Sequence, residues 1–406
     1  MIDVPQAIKA AREHHEAGRL PEAETIYQQI LQLEPGHADA LHLVGVIAHQ
    51  EGRNEIAIDF LSKAIAVDSS VAIYHSNLGS AYRALKRFDE AIVSYKQALT
   101  IKPDYADAHY NLGVTLYDQG SMTNAIICFK KSIALKPHFA LAHYNLGMAL
   151  RSRDKIDEAI KSFREVIKME PENEVVHYLI ATLTGKNYDR APDQYIASLF
   201  DGCADYFDQL LVHALKYDTP ERLVETILQL SSPPAKRWDA LDLGCGTGLV
   251  GLAIAPYTRQ LVGVDLAGNM LEKSKSRNVY QRLEQSDLLS MMEREAAASF
   301  DVIIAADVFV YIGKLDEIIS QAKRLLRPGG FIAFSVEALD ALSQVEIGPE
   351  VGRTYRLSSS GRYAHAAAYL TQLASVNDFK IRKTFGARTR LQDGKPVQAW
   401  LSVWEN

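Results

Sequence analysis

The sequence predicts two unlike folds in one chain: an all-α superhelix of two-helix repeats, then an α/β domain built on a mostly parallel sheet. Three observations predict them. Small residues and prolines recur every 34 residues from Val4 to about Leu183. A short apolar strand, Trp238–Leu243, runs through a glycine turn into the helical opening Leu249–Ala255. Strand–helix alternation then continues to two extended runs joined through Asp393-Gly394, an antiparallel hairpin signal.

At 406 residues the chain can bury a core in each of two or three domains. A net charge of −6 without a basic tail disfavours nucleic acid as a partner. No apolar run reaches membrane-span length, and the N-terminus lacks a secretory hydrophobic region, so no membrane partner is expected. Cys128, Cys203 and Cys245 are too few and scattered for a disulfide framework or zinc site. A reducing cytoplasm fits that usage, and no metal is expected. The expected division is a repeat domain over 1–186, a linker and N-terminal lid with helices over 187–235, and the α/β core over 236–406.

In the repeats, Gly45, Gly79, Gly113 and Gly147 share one position, and Ala23, Ala57, Ala91, Ala125 and Ala159 another. Pro35, Pro103, Pro137 and Pro171 fall on the same grid, with Ser69 substituting once. Tyr27, Leu61, Tyr95, Phe129 and Phe163 supply the bulk between them. Small residues let two antiparallel helices approach, the large residue fills the space, and the proline stops the second helix. Over five units this resembles the tetratricopeptide repeat. The resemblance implies a stacked superhelix whose concave side holds partners. The first unit departs from the pattern with Ala11, and a sixth first helix, Glu174–Thr184, carries Ala181 in the glycine position and is expected to cap the array.

Asn77, Asn111 and Asn145 recur before Leu-Gly, with His49, Arg83, Tyr117 and Arg151 on the same wall. An amide donates and accepts at once, so these asparagines can hold an extended polypeptide backbone. The alternative is a solvated inner face with local hydrogen bonds. His75, His109, His143 and His177 form a second ladder whose rungs lie on the order of 10 Å apart, too far to share a metal. Packed or capping histidines are expected there.

The stretch Leu241-Asp-Leu-Gly-Cys-Gly-Thr-Gly-Leu-Val-Gly251 organises the second half. Gly244, Gly246 and Gly248 let backbone approach a ligand that a helix N-terminus also faces. Asp265 ends the next apolar run, where a carboxylate accepts from ribose hydroxyls. Gly246, Gly248 and Gly251 alone also satisfy the dinucleotide fingerprint, which leaves a nicotinamide enzyme open. Asp242 turns the string into Asp-x-Gly-x-Gly-x-Gly, which resembles the first motif of class I S-adenosylmethionine-dependent methyltransferases.

Later residues extend the resemblance over 195–406. They are the helix Asn269–Ser276, a polar strand near Gln281–Gln285, and Ser286-Asp287-Leu288. After them come the strand Phe300–Asp307, the helix Leu315–Leu326, Arg327-Pro-Gly-Gly330 and the strand Phe331–Val336. Phe379–Phe385 and Val397–Trp404 close as the hairpin, which a nicotinamide dehydrogenase would lack. The resemblance implies a Rossmann-like, seven-stranded methyltransferase domain with S-adenosyl-L-methionine as cofactor. Carried onto this chain, its cofactor residues are Asp242, Gly244, Cys245, Gly246, Gly248, Asp265, Leu266, Met270, Asp287, Leu288 and Asp307. Asp287 and Leu288 fall at the adenine, and Asp287 also reads as a helix N-cap. The aromatic segment from Tyr195 implies a lid, with Tyr195 or Tyr206 reaching the methionine end.

More narrowly, the chain resembles bacterial methyltransferases that carry tetratricopeptide repeats in the same chain. Phe200-Asp201, Ala204-Asp205-Tyr-Phe-Asp208 and Gly361-Arg-Tyr-Ala-His365 carry that likeness. It brings a reaction class and no acceptor.

A methyl on a sulfonium needs an aligned nucleophile, and a base only if the acceptor arrives protonated. The expected catalytic residues are Asp307, Tyr311, Tyr363 and His365, with His365 suited to proton removal near neutrality. Arg362 and Glu337 are expected on the acceptor side, where Arg362 could hold a carboxylate or phosphate bidentately. Capping and surface pairing is the alternative for Arg362 and His365. The expected acceptor pocket follows the fifth strand, from Glu337 to Gly361. The function expected is an S-adenosylmethionine-dependent methyltransferase whose repeats recruit a protein or peptide partner, with the methyl acceptor itself as one candidate for that partner. The alternative is a small-molecule methyltransferase in which the repeats serve assembly or docking.

Overall fold

A computed structural model describes residues 3–209, 217–231, 238–339, 354–392 and 395–406. The chain forms two compact units, Met1–Val176 and His177–Asn406.

The first unit is a run of paired helices: α1 (Val4–Glu16), α2 (Leu20–Leu33), α3 (Ala38–Gln50), α4 (Asn54–Val67), α5 (Ala72–Ala84), α6 (Phe88–Ile101), α7 (Ala106–Asp118), α8 (Met122–Leu135), α9 (Ala140–Arg151) and α10 (Ile156–Met169). The periodic residues do what their sizes demand. A Cβ at Gly147 would stand 2.5 Å from Phe163, and one at Gly79 2.8 Å from Tyr95. The bulky partners Tyr27, Leu61, Tyr95, Phe129 and Phe163 are all fully buried. A further period lies in the turn within each pair: Gly18, Gly52, Lys86, Gly120 and Asp154 all take positive φ. Three of those five are glycine, so the turn is a left-handed position that two repeats fill against preference.

The histidine ladder serves those turns. His75, His109 and His143 each donate through Nε2 to a carbonyl six residues upstream, Ser69 O, Pro103 O and Pro137 O, at 2.9–3.0 Å. They cap the connections between repeats. Among the described residues no group of three or more His, Cys, Asp or Glu is placed to hold a metal. No described helix is long and apolar enough to cross a membrane.

The division between units falls within α11 (Glu174–Thr184), ten residues before the expected 186. From Tyr178 onward α11 packs on residues of the second unit. Tyr178 lies against Tyr188 and Tyr195, and its hydroxyl donates to Gly361 O at 2.7 Å. The array's sixth first helix is thus spent on the second unit's core, where Ala181 joins Ala191, Leu357 and Tyr363.

The second unit continues with α12 (Asp193–Asp201) and α13 (Thr219–Leu230). The sheet follows: β1 (Trp238–Leu243), β2 (Thr258–Asp265), β3 (Arg282–Gln285), β4 (Phe300–Ala305), β5 (Leu326–Ala338), β6 (Tyr355–Leu357), β7 (Tyr363–His365), β8 (Lys380–Gln392) and β9 (Lys395–Glu405). Helices α14 (Leu249–Ile254), α15 (Gly268–Ser276), α16 (Leu288–Arg294), α17 (Asp316–Leu325) and α18 (Ala367–Val376) connect them. Strands β3, β2, β1, β4 and β5 are parallel in that spatial order, and β9 joins β5 antiparallel with β8 outside it. This is the parallel sheet closed by a hairpin that the sequence predicts. The short β7 runs parallel to the C-terminal end of β5, and β6 antiparallel to β7, an addition the sequence did not announce. Asp393-Gly394, the expected turn, lies outside the described residues, as do residues 232–234 and 340–353.

Strand alternation divides the core between the sheet's faces. Leu241, Leu243, Ile303, Phe334 and Trp404 pack with α17 and α18, whereas Ala240, Val302, Ile304, Ala333 and Val403 pack with α13 and α14. Both faces are covered, so the parallel strands' C-terminal ends remain as the place for a ligand.

Candidate functional site

A cavity of about 340 Å³ opens at those strand ends. Its walls come from the turn after β1 (Gly244, Cys245, Gly246, Thr247), the end of β2 (Asp265, Leu266), the residues after β3 (Asp287, Leu288, Leu289) and those after β4 (Asp307, Val308, Tyr311). Four successive strand ends meet at one crevice.

The glycine turn is shaped from beneath. Gly246 has a φ of 53°, and a Cβ there would meet nothing within 4 Å, so bare backbone faces open space. A Cβ at Gly244 would instead strike Val308 at 2.6 Å. Asp265 accepts the Gly246 N–H at 2.8 Å and the Ala267 N–H at 2.9 Å, one on each oxygen. Burial nonetheless pushes its pKa up, against those two bonds. Asp265 therefore braces the turn as well as lining the cavity.

Asp242 lies below the turn, only 1% exposed and not among the cavity walls. Tyr280 donates its hydroxyl to Asp242 at 2.6 Å. Burial pushes the Asp242 carboxyl up to about 8, Tyr280 opposing and Asp265 reinforcing the rise. A neutral Asp242 at the base of the turn is the result.

Asp287 caps α16 by accepting the Ser290 N–H at 3.1 Å and lines the cavity as well. Asp307 sits just past β4 with a φ of 57°, a strained conformation of the kind that gathers at functional sites. Its N–H donates to Ser335 Oγ, whose hydroxyl donates back to Asp307 Oδ1, each at 2.7 Å.

The segment after α11 reaches the cavity by residues other than those expected. Ile196, Phe200 and Phe207 line it, as does Tyr217. Tyr195 instead packs on Tyr178 at 5.1 Å, and Tyr206 is 52% exposed. The aspartates between them hold the segment down. Asp201 accepts the Asn269 N–H at 2.8 Å at the start of α15, and Asp205 pairs with Lys273 at 2.9 Å. Asp208 accepts the Thr247 hydroxyl at 2.5 Å and also takes Arg277, whose Nε bonds Thr247 O. The signal for this was the spacing of Asp201, Asp205 and Asp208, which the aromatics overshadowed.

Gly248 and Met270 likewise stand outside the cavity lining. Gly248 takes a φ of 89° at the N-cap of α14, and Met270 is fully buried with Ala204 and Ala267. Both support the site from behind.

On the acceptor side the structure corrects two expectations. Tyr363 and His365 are 0% exposed and do not line the cavity. His365 donates through Nε2 to the Gly313 carbonyl at 3.0 Å and lies parallel to the Tyr369 ring. Burial lowers its pKa to about 4. The cause is strand alternation: pairing of β7 with β5 and β6 turns Tyr363 and His365 away from the side that Arg362 faces. Neither can act as base or acceptor ligand without unpacking the core. Arg362 does line the cavity. Its guanidinium stands 5.0 Å over the Tyr311 ring, and Nε lies 2.9 Å from Glu337 Oε1. Glu337 supports Arg362 from outside the lining.

In the repeats, Asn77 donates through Nδ2 to His42 Nε2 at 2.8 Å, and Asn145 to the Tyr110 hydroxyl at 3.0 Å. These amides tie one repeat to the preceding one. Asn111 holds the same register position and is partly buried.

The methyltransferase domain family matches residues 241–332. Tetratricopeptide repeat families match residues 8–72, 79–120, 106–139 and 140–173. A malonyl-[acyl-carrier protein] O-methyltransferase of Methylococcus capsulatus is 30% identical over 167 residues, which are 39% of this chain and 57% of that protein. One from Serratia marcescens is 28% identical over 188 residues, 46% of this chain and 68% of that protein. The chain thus spans little more than half to two thirds of the length of these relatives. The crystal structure of MamA is 28% identical, with a TM-score of 0.37, covering 40% of this chain and 95% of that one. The chain carries tetratricopeptide repeats followed by a methyltransferase domain.

Proposed function

We propose that the second unit transfers a methyl group from S-adenosylmethionine, and that the repeats recruit a protein or peptide that carries the acceptor. The observation that supports the first part is the convergence of the glycine turn, Asp265, Asp287 and Asp307 on one cavity. The residues fit the cofactor. Ribose hydroxyls and amino groups are donors, and the chain offers three carboxylates to accept them. Leu266 and Leu288 supply apolar walls for a planar base, and the open backbone at Gly246 leaves room for close approach. The volume suits a nucleoside-sized ligand. When bound, the cofactor supplies an electrophilic methyl on sulfur. The chain's own residues bind, orient and keep water out, with Phe200, Phe207 and Tyr217 as walls.

Calorimetry on the full chain tests the first part: S-adenosylmethionine binds, and Asp265→Ala weakens it at least tenfold. Unchanged affinity in that variant would sink the assignment. For the second part, the chain is incubated with methyl-labelled cofactor and cell lysate, and protein is separated from small molecules. Label in protein supports recruitment; label confined to small molecules overturns it in favour of a small-molecule acceptor.

A further inference from the structure

The cavity holds two opposite charges that do not close on each other. Asp307 accepts the Ser335 hydroxyl on Oδ1 at 2.7 Å, and among the described residues nothing donates to its Oδ2. Arg362 approaches Glu337 through Nε at 2.9 Å, and among the described residues its Nη atoms donate to nothing. Both side chains line the cavity, and among the described residues they form no ion pair with one another. Charged atoms left open in a half-buried crevice are costly. A ligand that carries both signs therefore fits them better than an ion of either sign.

Arg362 is held from several sides. The Tyr311 ring lies 5.0 Å from its guanidinium. One residue upstream, Gly361 takes a φ of 81°, and its carbonyl accepts the Tyr178 hydroxyl at 2.7 Å. A Cβ at Gly361 would come within 2.9 Å of the Tyr195 hydroxyl oxygen, so the chain passes there as bare backbone. A planar fork fixed in this way presents paired N–H donors at the spacing of a carboxylate.

Strand order decides which part of a ligand reaches the two charges. Across the sheet the cavity residues run Asp287 after β3, Asp265 ending β2, the glycine turn after β1, Asp307 after β4, and Arg362 just ahead of β7, which borders β5. Neighbouring strands lie about 5 Å apart, so Asp307 stands about 10 Å along the crevice from Asp265. With the base at Asp287 and the ribose at Asp265, the remainder of an S-adenosylmethionine molecule extends toward Asp307 and Arg362. That remainder ends in an α-amino acid, which carries an ammonium and a carboxylate on one carbon.

We infer that Asp307 and Arg362 clamp the zwitterionic end of S-adenosylmethionine, Asp307 Oδ2 accepting from the ammonium and the Arg362 Nη atoms donating to the carboxylate. This rests on the methyl-transfer reading above, and it moves Arg362 from the acceptor side to the cofactor.

The full chain is titrated in a calorimeter with three sulfides: S-adenosylhomocysteine, its decarboxylated amine, and 5′-methylthioadenosine, which lacks the amino-acid arm. Wild type is expected to bind S-adenosylhomocysteine at least tenfold more tightly than the decarboxylated amine. Arg362→Gln should erase that preference, bringing the two within twofold, while methylthioadenosine stays within twofold of its wild-type affinity. Because this variant removes the cation beside Glu337, Arg362→Gln/Glu337→Gln is measured with it and should behave alike. Asp307→Asn keeps the oxygen that Ser335 bonds, suits the left-handed backbone, and replaces only the open oxygen. It should weaken both amine-bearing ligands at least tenfold, keep the preference for the carboxylate, and leave methylthioadenosine within twofold. No preference in wild type, a preference that survives Arg362→Gln, amine-bearing ligands indifferent to Asp307→Asn, or a loss that methylthioadenosine shares in full overturns the inference. A wild-type chain that binds none of the three overturns the methyl-transfer reading, and this inference with it.

Discussion

Asp208 accepts the hydroxyl hydrogen of Thr247 at 2.5 Å, fastening the segment after α12 to the glycine turn. The same carboxylate takes Arg277, which in turn bonds Thr247 O. Phe200 and Phe207 wall the cavity from this segment, so the link sets one wall against the other. Asp208→Ala is expected to weaken S-adenosylmethionine about tenfold, roughly 1.4 kcal/mol. Calorimetry at low and high salt checks it; an unaltered dissociation constant would show that the fastening plays no part in binding.

Asp242 makes the site's base sensitive to alkali. Its folded value of about 8 stands above the ordinary 3.8, so the neutral form is favoured by folding. The stability it contributes is full below pH 3.8 and is lost as pH rises through 8. Asp242→Asn keeps the shape and cannot ionise. The melting temperature of that variant, relative to wild type, should climb between pH 5 and 9. Parallel curves would contradict a neutral Asp242.

His365 gives the opposite slope. Its folded value of about 4 lies below the ordinary 6.5, so stability is full above pH 6.5 and is lost as pH falls toward 4. The loss amounts to about 3 kcal/mol over that window. Denaturant titrations of wild type and His365→Gln at pH 7 and 4.5 measure it. A variant that loses as much stability as wild type on acidification would remove His365 as the cause.

Lys86 and Asp154 occupy left-handed turn positions that Gly18, Gly52 and Gly120 fill elsewhere. The conformation costs a side chain about 1–2 kcal/mol. Glycine returns part of that gain as unfolded-state entropy, about 0.5–1 kcal/mol. Lys86→Gly should therefore stabilise by about 0.5–1 kcal/mol in urea melts, and Gly52→Ala should destabilise. A destabilised Lys86→Gly would refute the strain argument.

Gly147 meets Phe163 so closely that an added Cβ would overlap the ring by its 2.5 Å approach. Gly147→Ala should cost about 1–3 kcal/mol through overpacking. The contrast is Gly36, whose Cβ would meet nothing within 4 Å. Gly36→Ala should change little, and comparable losses at both positions would argue against helix approach as the reason for the glycine.

Much of this protein was legible in order along the chain. The 34-residue grid dictates paired helices, because only small residues at Gly45, Gly79, Gly113 and Gly147 let a bulky partner in the same repeat close on them. The turn at 244–248 and the acids at 265, 287 and 307 follow strands whose parallel pairing forces their ends to one side of the sheet. Those positions could be read because each depends on its own strand and the turn after it. What the tertiary structure decided depends on partners distant in sequence. Tyr363 and His365 are buried because β7 pairs with β5 and β6, a register no local pattern announces. Asp201, Asp205 and Asp208 matter because α15 and the glycine turn come to meet them. Arg362 reaches the cavity, and His365 does not, because neighbouring residues of an extended chain face opposite ways.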